Sequence, residues 1–311
     1  MTGHNISVVI AAYNAAATIS DTLRSVQEQD APNFELIVVD DGSNDGTASA
    51  IEAVPAGAVK TTVIRNQQNQ GLTRSLIQGC SRASGKYIAR IDAGDRYLPG
   101  RLAKQLEVME RNPQVGLLSC GTRFASAEGE HLYCVTQQPN ELAQGLSSFD
   151  LGGIRGPTHH GSTMFRRDIY ETVGGYRAVF RVAQDLDLWM RFYEASEVLA
   201  MPEVLYEARL YPNSISIGRR SLQVETARVI LEGARCRRTG RAEPDYQSLL
   251  ASDRVLRGSS TRRNQSRYDY FVGGCLLQRD RQSASRHFAR AWRGSPLNLK
   301  YGARYLLSLV A

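Results

Sequence analysis

Apolar and polar positions fall into blocks along the first hundred residues, and the spacing switches repeatedly between strand and helix. Apolar runs at 6–12, 34–39, 59–65 and 86–91 predict strands. Between them, Ile19, Leu23 and Val26 recur at helical spacing and predict a helix near 16–29. Leu72, Leu76 and Cys80 predict another near 71–83. A shorter helix is expected near 45–53, with Asp45 as its N-cap. Repeats of this length imply right-handed crossovers and a mostly parallel sheet.

The later pattern is less regular. Pro99 opens a helix over 101–111, which Asn112-Pro113 closes. Residues 115–136 read as two strands joined at 127–130, and the polar stretch 137–162 as a loop able to cover a site. A strand at 162–166, a helix at 168–173, a turn at 174–176, a helix at 185–195 and strands at 198–200 and 203–210 follow. Beyond about residue 217 the pattern is helical, and 271–311 reads as a hairpin broken at Gly294-Ser-Pro296.

Two predicted strands end in acid. The second runs into Asp40-Asp41-Gly42-Ser43 and the fourth into Asp92-Ala93-Gly94-Asp95. The carboxyl ends of parallel strands face the crevice where open α/β sheets bind ligands. Carboxylates grouped there suit a divalent cation and the hydroxyls and amides of a nucleotide. No Gly-x-Gly-x-x-Gly follows the first strand, so a dinucleotide fingerprint is not supported.

A chain of 311 residues can bury a large core. No apolar run approaches the roughly 18 residues that cross a bilayer. Residues 1–5 lack the basic segment of a secretory leader, and five scattered cysteines have no CxxC spacing. A cytoplasmic location is therefore expected. The net charge of +7 is uneven: 1–214 carry 19 Lys or Arg against 24 Asp or Glu, and 215–311 carry 19 against 7. A basic C-terminal region suits an anionic membrane surface, a nucleic acid or an acidic partner. With 34 Arg and only 4 Lys in the whole chain, arginine bias is chain-wide, which favours a solvated face on a helical bundle.

Ordered motifs add a resemblance. Val8-Val-Ile-Ala-Ala-Tyr-Asn14, Val38-Val-Asp-Asp-Gly-Ser43, Asn69-Gln-Gly-Leu72 and Ala89-Arg-Ile-Asp-Ala-Gly-Asp95 resemble family 2 glycosyltransferases. So do Pro99–Gln105, His160–Arg167, Gly174-Gly-Tyr176 and Gln184-Asp-Leu-Asp-Leu-Trp189. The resemblance spans residues 5–217. It implies a GT-A fold, a Rossmann-like α/β sheet with flanking helices, and inverting transfer from a nucleotide-diphosphate sugar to an acceptor hydroxyl. It implies a glycosyltransferase domain at 1–217, with a nucleotide-sugar half at about 1–112 and an acceptor half at about 113–217. A basic helical extension over 218–311 completes the expected layout.

On that resemblance Ala12, Tyr13 and Asp41 enclose the nucleoside, with Asp92 at the ribose or metal. Arg74, like Arg65, suits either a phosphate contact or a plain surface arginine. Asp95 carries Mn²⁺ or Mg²⁺. Relatives commonly show Asp-x-Asp-Asp, where this chain has Gly94, and a His where it has Tyr211. Weak cation binding is the expectation. Asp185 is the expected general base, with Asp187 as rival; both also suit helix N-terminal acids complementing the dipole. His160 matches a family motif, although a histidine in a polar loop is as readily structural. Asp40 and Asp41 would also suit an Asx turn.

The expected partners are a nucleotide-sugar donor and a glycan or lipid-linked acceptor, in bacterial surface polysaccharide or lipid-linked glycan synthesis. Peripheral membrane contact at the inner face and homo-oligomerisation are open roles for the basic region; nucleic acid is not among the expected partners. Two other readings use the same residues: a nucleotide-sugar enzyme of another reaction type, such as a nucleotidyltransferase, and a non-catalytic nucleotide-binding scaffold.

Overall fold

A computed structural model describes residues 4–31, 33–55, 59–212, 220–250 and 261–309. Its first half follows the predicted alternation. Strands β1 (Ile6–Ala12), β2 (Phe34–Asp40), β3 (Lys60–Arg65) and β4 (Tyr87–Asp92) are joined by helices α1 (Ile19–Gln27), α2 (Thr47–Glu52) and α3 (Leu72–Ser81). Strands β1 and β2 are almost wholly buried, which explains their continuous apolar runs. Helix α2 starts after Gly46, which is left-handed at φ +90°, so the N-cap expected at Asp45 moves one residue on. Asp45 instead accepts the backbone N–H groups of Ala16 and Thr47, both at 3.1 Å.

The chain continues through β5 (Arg96–Tyr97), α4 (Arg101–Arg111), β6 (Val115–Ala125), β7 (His131–Val135) and α5 (Glu141–Ser147). Helix α5 lies inside the stretch expected to be loop, and its Leu142 and Leu146 are buried. Then come a 3₁₀ turn at His160–Ser162, β8 (Met164–Arg166), α6 (Arg167–Thr172), α7 (Gln184–Ala195) and β9 (Glu197–Arg209). The two strands expected around 198–210 are one strand. Sheet order is β3-β2-β1-β4-β8-β6-β9-β5, with β7 paired to β6. The strands β3, β2, β1 and β4 run parallel, whereas β8 is antiparallel to both β4 and β6.

Register decides where the acids go. Ala12 pairs with Asp40 on one side of β1, and Ala11 pairs with Asp92 on the other. Both acidic segments thus emerge beside the carboxyl end of β1.

The C-terminal region holds α8 (Arg220–Arg238), α9 (Tyr246–Leu250), α10 (Thr261–Leu276), α11 (Arg281–Gly294) and α12 (Leu299–Leu309). Two compact units result. One comprises the described residues of 1–122, 135–208 and 224–252; the other those of 123–134, 209–223 and 253–311. Packing therefore does not follow the expected division at 217/218, which itself lies outside the described residues. Ile230, Leu231 and Ala234 of α8 share a core cluster with Leu188, Trp189 and Phe192. In the second unit, Tyr268, Val272 and Leu276 of α10 pack with Ala284 and Phe288 of α11 and with Leu132. The expected break at Gly294-Ser-Pro296 separates α11 from α12, whereas residues 271–276 belong to the end of α10; Phe271 and Trp292 are exposed.

Candidate active site

The first acidic turn is largely occupied by its own chain. Asp41 is buried, and its Oδ1 accepts Asn66 Nδ2 at 2.8 Å and the Gln70 N–H at 2.9 Å. Its Oδ2 accepts the Gly71 N–H at 2.8 Å. Asp41 thus fastens the segment that leads into α3. Asp40 accepts the Ser43 N–H at 3.1 Å. Tyr13, at the end of β1, is 48% exposed and leaves an aromatic face accessible beside this turn, while Ala12 is buried. Arg74 is exposed on the first turn of α3.

The second turn is pinned from below. The Asp95 N–H donates to the Asp92 carbonyl at 3.1 Å, closing the turn. Thr22 of α1 accepts the Gly94 N–H at 2.9 Å and donates to the Asp95 carbonyl at 2.8 Å. Gly94 has φ +103°, a conformation costly for any residue with a Cβ. The missing family carboxylate is therefore replaced by a backbone that would strain one.

Two buried arginines support this turn. Arg90 Nη2 donates to Asp92 Oδ1 at 2.6 Å. Desolvation works to raise the Asp92 carboxyl, but the charge and hydrogen bond of Arg90 outweigh it and hold the group well below the usual carboxylate range. Arg101 stacks on Tyr97 at 3.9 Å and donates to the carbonyls of Arg90 and Thr163.

Two further residues complete the group. Tyr206 of β9 donates its hydroxyl to Asp95 Oδ2 at 2.5 Å. His159, just before the 3₁₀ turn, places Nδ1 3.8 Å from Asp95 Oδ2 and stacks on the Tyr206 ring at 5.1 Å. Ligand atoms of Asp92, Asp95 and His159 all lie within 4.8 Å of one another. Two carboxylate oxygens and an imidazole nitrogen form a donor set that fits a divalent cation. Desolvation, with Arg90 and Arg101 nearby, lowers the His159 pKa to about 4, so the ring is neutral at pH 7.

Asp185 sits in the first turn of α7, preceded by Ala183 in the left-handed region at φ +54°. That conformation costs an alanine about 1–2 kcal/mol and sets the angle at which α7 leaves the loop. Asp185 is half-buried, with Oδ2 4.0 Å from His160 Nδ1. His160 Nε2 lies 2.7 Å from the Tyr176 hydroxyl, and its ring meets Trp189 edge-on. Desolvation raises the Asp185 pKa; the Leu186 N–H and Arg90 oppose it. Asp187 differs in kind: it is fully buried and pairs with Arg191 at 2.5 Å and Arg177 at 3.7 Å.

Arg90 acts electrostatically on both Asp92 and Asp185, linking the base candidate to the acidic turn. His159, Tyr206, Arg90 and Arg101 were not among the sequence candidates. Adjacency to His160 and to the acidic motif was the only signal for His159 and Arg90; Tyr206 had none.

Residues 7–174 match the family model Glycosyl transferase family 2. The chain belongs to that family. EpsE of Bacillus subtilis (strain 168), assigned as a glycosyltransferase, is 32% identical over 251 residues, 78% of this chain and 86% of EpsE. TuaG of the same organism, assigned to teichuronic acid biosynthesis, is 30% identical over 68% of this chain and 81% of its own. The amylovoran biosynthesis glycosyltransferase AmsE of Erwinia amylovora is 27% identical over 65% and 75%. Among solved structures, S. aureus TarS 1–349 with UDP superposes with a TM-score of 0.59 at 15% identity, covering 98% of this chain and 88% of that one. The Pyrobaculum calidifontis mannosyltransferase PcManGT, with GDP-Man and Mn²⁺, gives 0.58 at 19% identity, covering 98% and 84%. The fold is GT-A, and the protein is a family 2 glycosyltransferase related to polysaccharide biosynthesis enzymes.

Proposed function

We propose that this enzyme transfers a sugar, with inversion, from a nucleotide-diphosphate sugar to an acceptor hydroxyl in the synthesis of a bacterial surface polysaccharide or lipid-linked glycan. The observation that carries the reading is the half-buried Asp185 carboxylate in the first turn of α7, with Oδ2 4.0 Å from His160 Nδ1. Ala12, Tyr13 and the loop fastened by Asp41 take the nucleoside, Arg74 faces the phosphates, and Asp92 and Asp95 would hold Mn²⁺ or Mg²⁺. A cation bound there would offset negative charge on the departing diphosphate. Asp185 accepts the acceptor's hydroxyl proton as that oxygen bonds to the anomeric carbon; the bond from that carbon to the diphosphate oxygen breaks on the opposite face. His160 and Tyr176 brace Asp185. Asp187, neutralised by two arginines, is fitted to hold α7 instead.

The same reading puts the acceptor at the inner face of a membrane. Helix α12 turns Leu299, Leu306 and Leu307 outward at 83%, 56% and 62% exposure, beside Lys300 and Arg304. Residues 261–311 hold ten Arg or Lys against two Asp, which complements anionic lipid. No described helix is long and apolar enough to cross a membrane.

Transfer assays with a panel of UDP-, GDP- and dTDP-sugars plus Mn²⁺ test the function. Turnover of none, with no thermal stabilisation by any, would reject it. Co-sedimentation with anionic vesicles at low and high salt tests the membrane contact, and self-association without lipid binding would assign the leucines to a second copy.

A further inference from the structure

We propose that the His159 imidazole is a ligand of the cation held by Asp92 and Asp95, and that this nitrogen donor makes the site prefer Mn²⁺ to Mg²⁺. The inference deepens the metal-assisted transfer proposed above and rests on it.

The acidic turn alone is a poor cation site. Ala93 and Gly94 offer no side-chain donor, and Asp92 shares its charge with Arg90 at 2.6 Å. Mg²⁺ demands octahedral oxygen coordination and gives up water reluctantly, so a turn with so little net charge holds it weakly. A third donor arrives from a distant segment of the chain. His159 brings a ring nitrogen within 4.8 Å of ligand atoms on both aspartates.

The ring is held there by specific packing. It lies at 24° to the Tyr206 ring, with centroids 5.1 Å apart. The Tyr206 hydroxyl donates to Asp95 Oδ2, so one side chain orients two of the three donors. Gly161 makes room for that hydroxyl: a Cβ on it would lie 1.9 Å from Tyr206 Oη. Nδ1 accepts the Gly161 N–H at 3.1 Å and so carries a lone pair, and ligation at that atom would exchange this hydrogen bond for the metal bond.

A nitrogen donor changes selectivity. Carboxylate and water suit Mg²⁺ and Mn²⁺ alike, whereas imidazole favours first-row transition ions. Replacing a carboxylate by histidine therefore costs Mg²⁺ more than Mn²⁺.

The test uses the full chain with Mn²⁺ and UDP or GDP, read by pulsed electron paramagnetic resonance. Nitrogen-14 modulation of the Mn²⁺ signal is expected, changing to the nitrogen-15 pattern when histidine is isotopically labelled. In parallel, thermal shifts with Mn²⁺ and Mg²⁺ are compared between wild type and His159→Ala. The variant should lose Mn²⁺ affinity by about 10-fold or more, while Mg²⁺ affinity changes less. Bound Mn²⁺ without histidine nitrogen modulation would overturn the ligand alone. So would an unchanged Mn²⁺/Mg²⁺ preference in folded His159→Ala. If wild type binds no Mn²⁺ with either nucleotide, the metal-assisted reading fails and takes this ligand with it.

Discussion

His160 holds Nδ1 4.0 Å from the Asp185 carboxylate while its Nε2 is engaged by the Tyr176 hydroxyl at 2.7 Å. Desolvation and the nearby Arg90 charge lower the His160 pKa well below its usual value, so the ring meets Asp185 as a neutral dipole. A neutral neighbour leaves Asp185 free to take a proton, where an imidazolium would have stabilised its anion and weakened it as a base.

Asp185→Asn should therefore lower kcat by about 10²–10⁴-fold, the usual contribution of a positioned acid–base group, with nucleotide-induced thermal stabilisation retained. Activity within several-fold of wild type would remove Asp185 from the role.

The pH profile carries its own signature. The Asp185 carboxyl is raised, so its proton is held to higher pH than on an ordinary aspartate. On the proposed mechanism, transfer requires the deprotonated form. The acid limb of kcat/KM should lie above the ordinary aspartate value of about 3.9 and should vanish from the residual activity of Asp185→Asn. A limb at or below the ordinary value contradicts the assignment.

Asp187→Ala should behave differently. It leaves Arg191, 4% exposed, without its partner in the first unit's core. Breaking a buried pair this way costs roughly 3–5 kcal/mol. A fall in denaturation midpoint is expected, rather than a folded protein without catalysis. A stable, inactive Asp187→Ala would make it the base after all.

Asp41→Ala should weaken nucleotide binding and also loosen the 66–71 segment, because the Asn66, Gln70 and Gly71 donors lose their acceptor. Unpaired donors of this kind cost about 1–3 kcal/mol each. Hydrogen exchange should quicken at Gln70 and Gly71. Weakened nucleotide binding with unchanged exchange would mean that Asp41 acts on the ligand alone.

In the second unit, His287 is buried between Asp269 at 2.8 Å and Glu130 at 2.9 Å, with Arg290 against the same ring and paired to Asp269 and Glu128. Desolvation alone would lower the His287 pKa, but the two carboxylates raise it. The folded state thus binds this proton more tightly than the unfolded chain. The contribution is fully present below the unfolded value of about 6.5 and is lost as pH rises through the raised folded value. Protection factors in α10 and α11, which remove the base-catalysed rise of intrinsic exchange, should fall over that range in wild type, and His287→Ala should flatten the dependence. Protection that does not change with pH in wild type would refute it.

The sequence by itself determined the β-α alternation, the two acidic strand ends and the family to which the chain belongs. These are local: buried parallel strands are continuously apolar, and the Asp92–Asp95 turn follows directly from β4. What only the tertiary structure decided is which distant groups meet there. Register sets Asp40 and Asp92 on either side of β1, and β9 carries Tyr206 onto Asp95. A polar loop carries His159 to the same point. Asp185 and Asp187 are indistinguishable as N-terminal acids of one helix in sequence. They point to different surroundings, because two residues along a helix turn the side chain through about 200°. One meets a neutral histidine, the other two arginines. Helix α8 was read with the basic tail because charge dominates its composition, yet Ile230, Leu231 and Ala234 bury it against α7, since packing follows one face of a helix and composition averages over all of them.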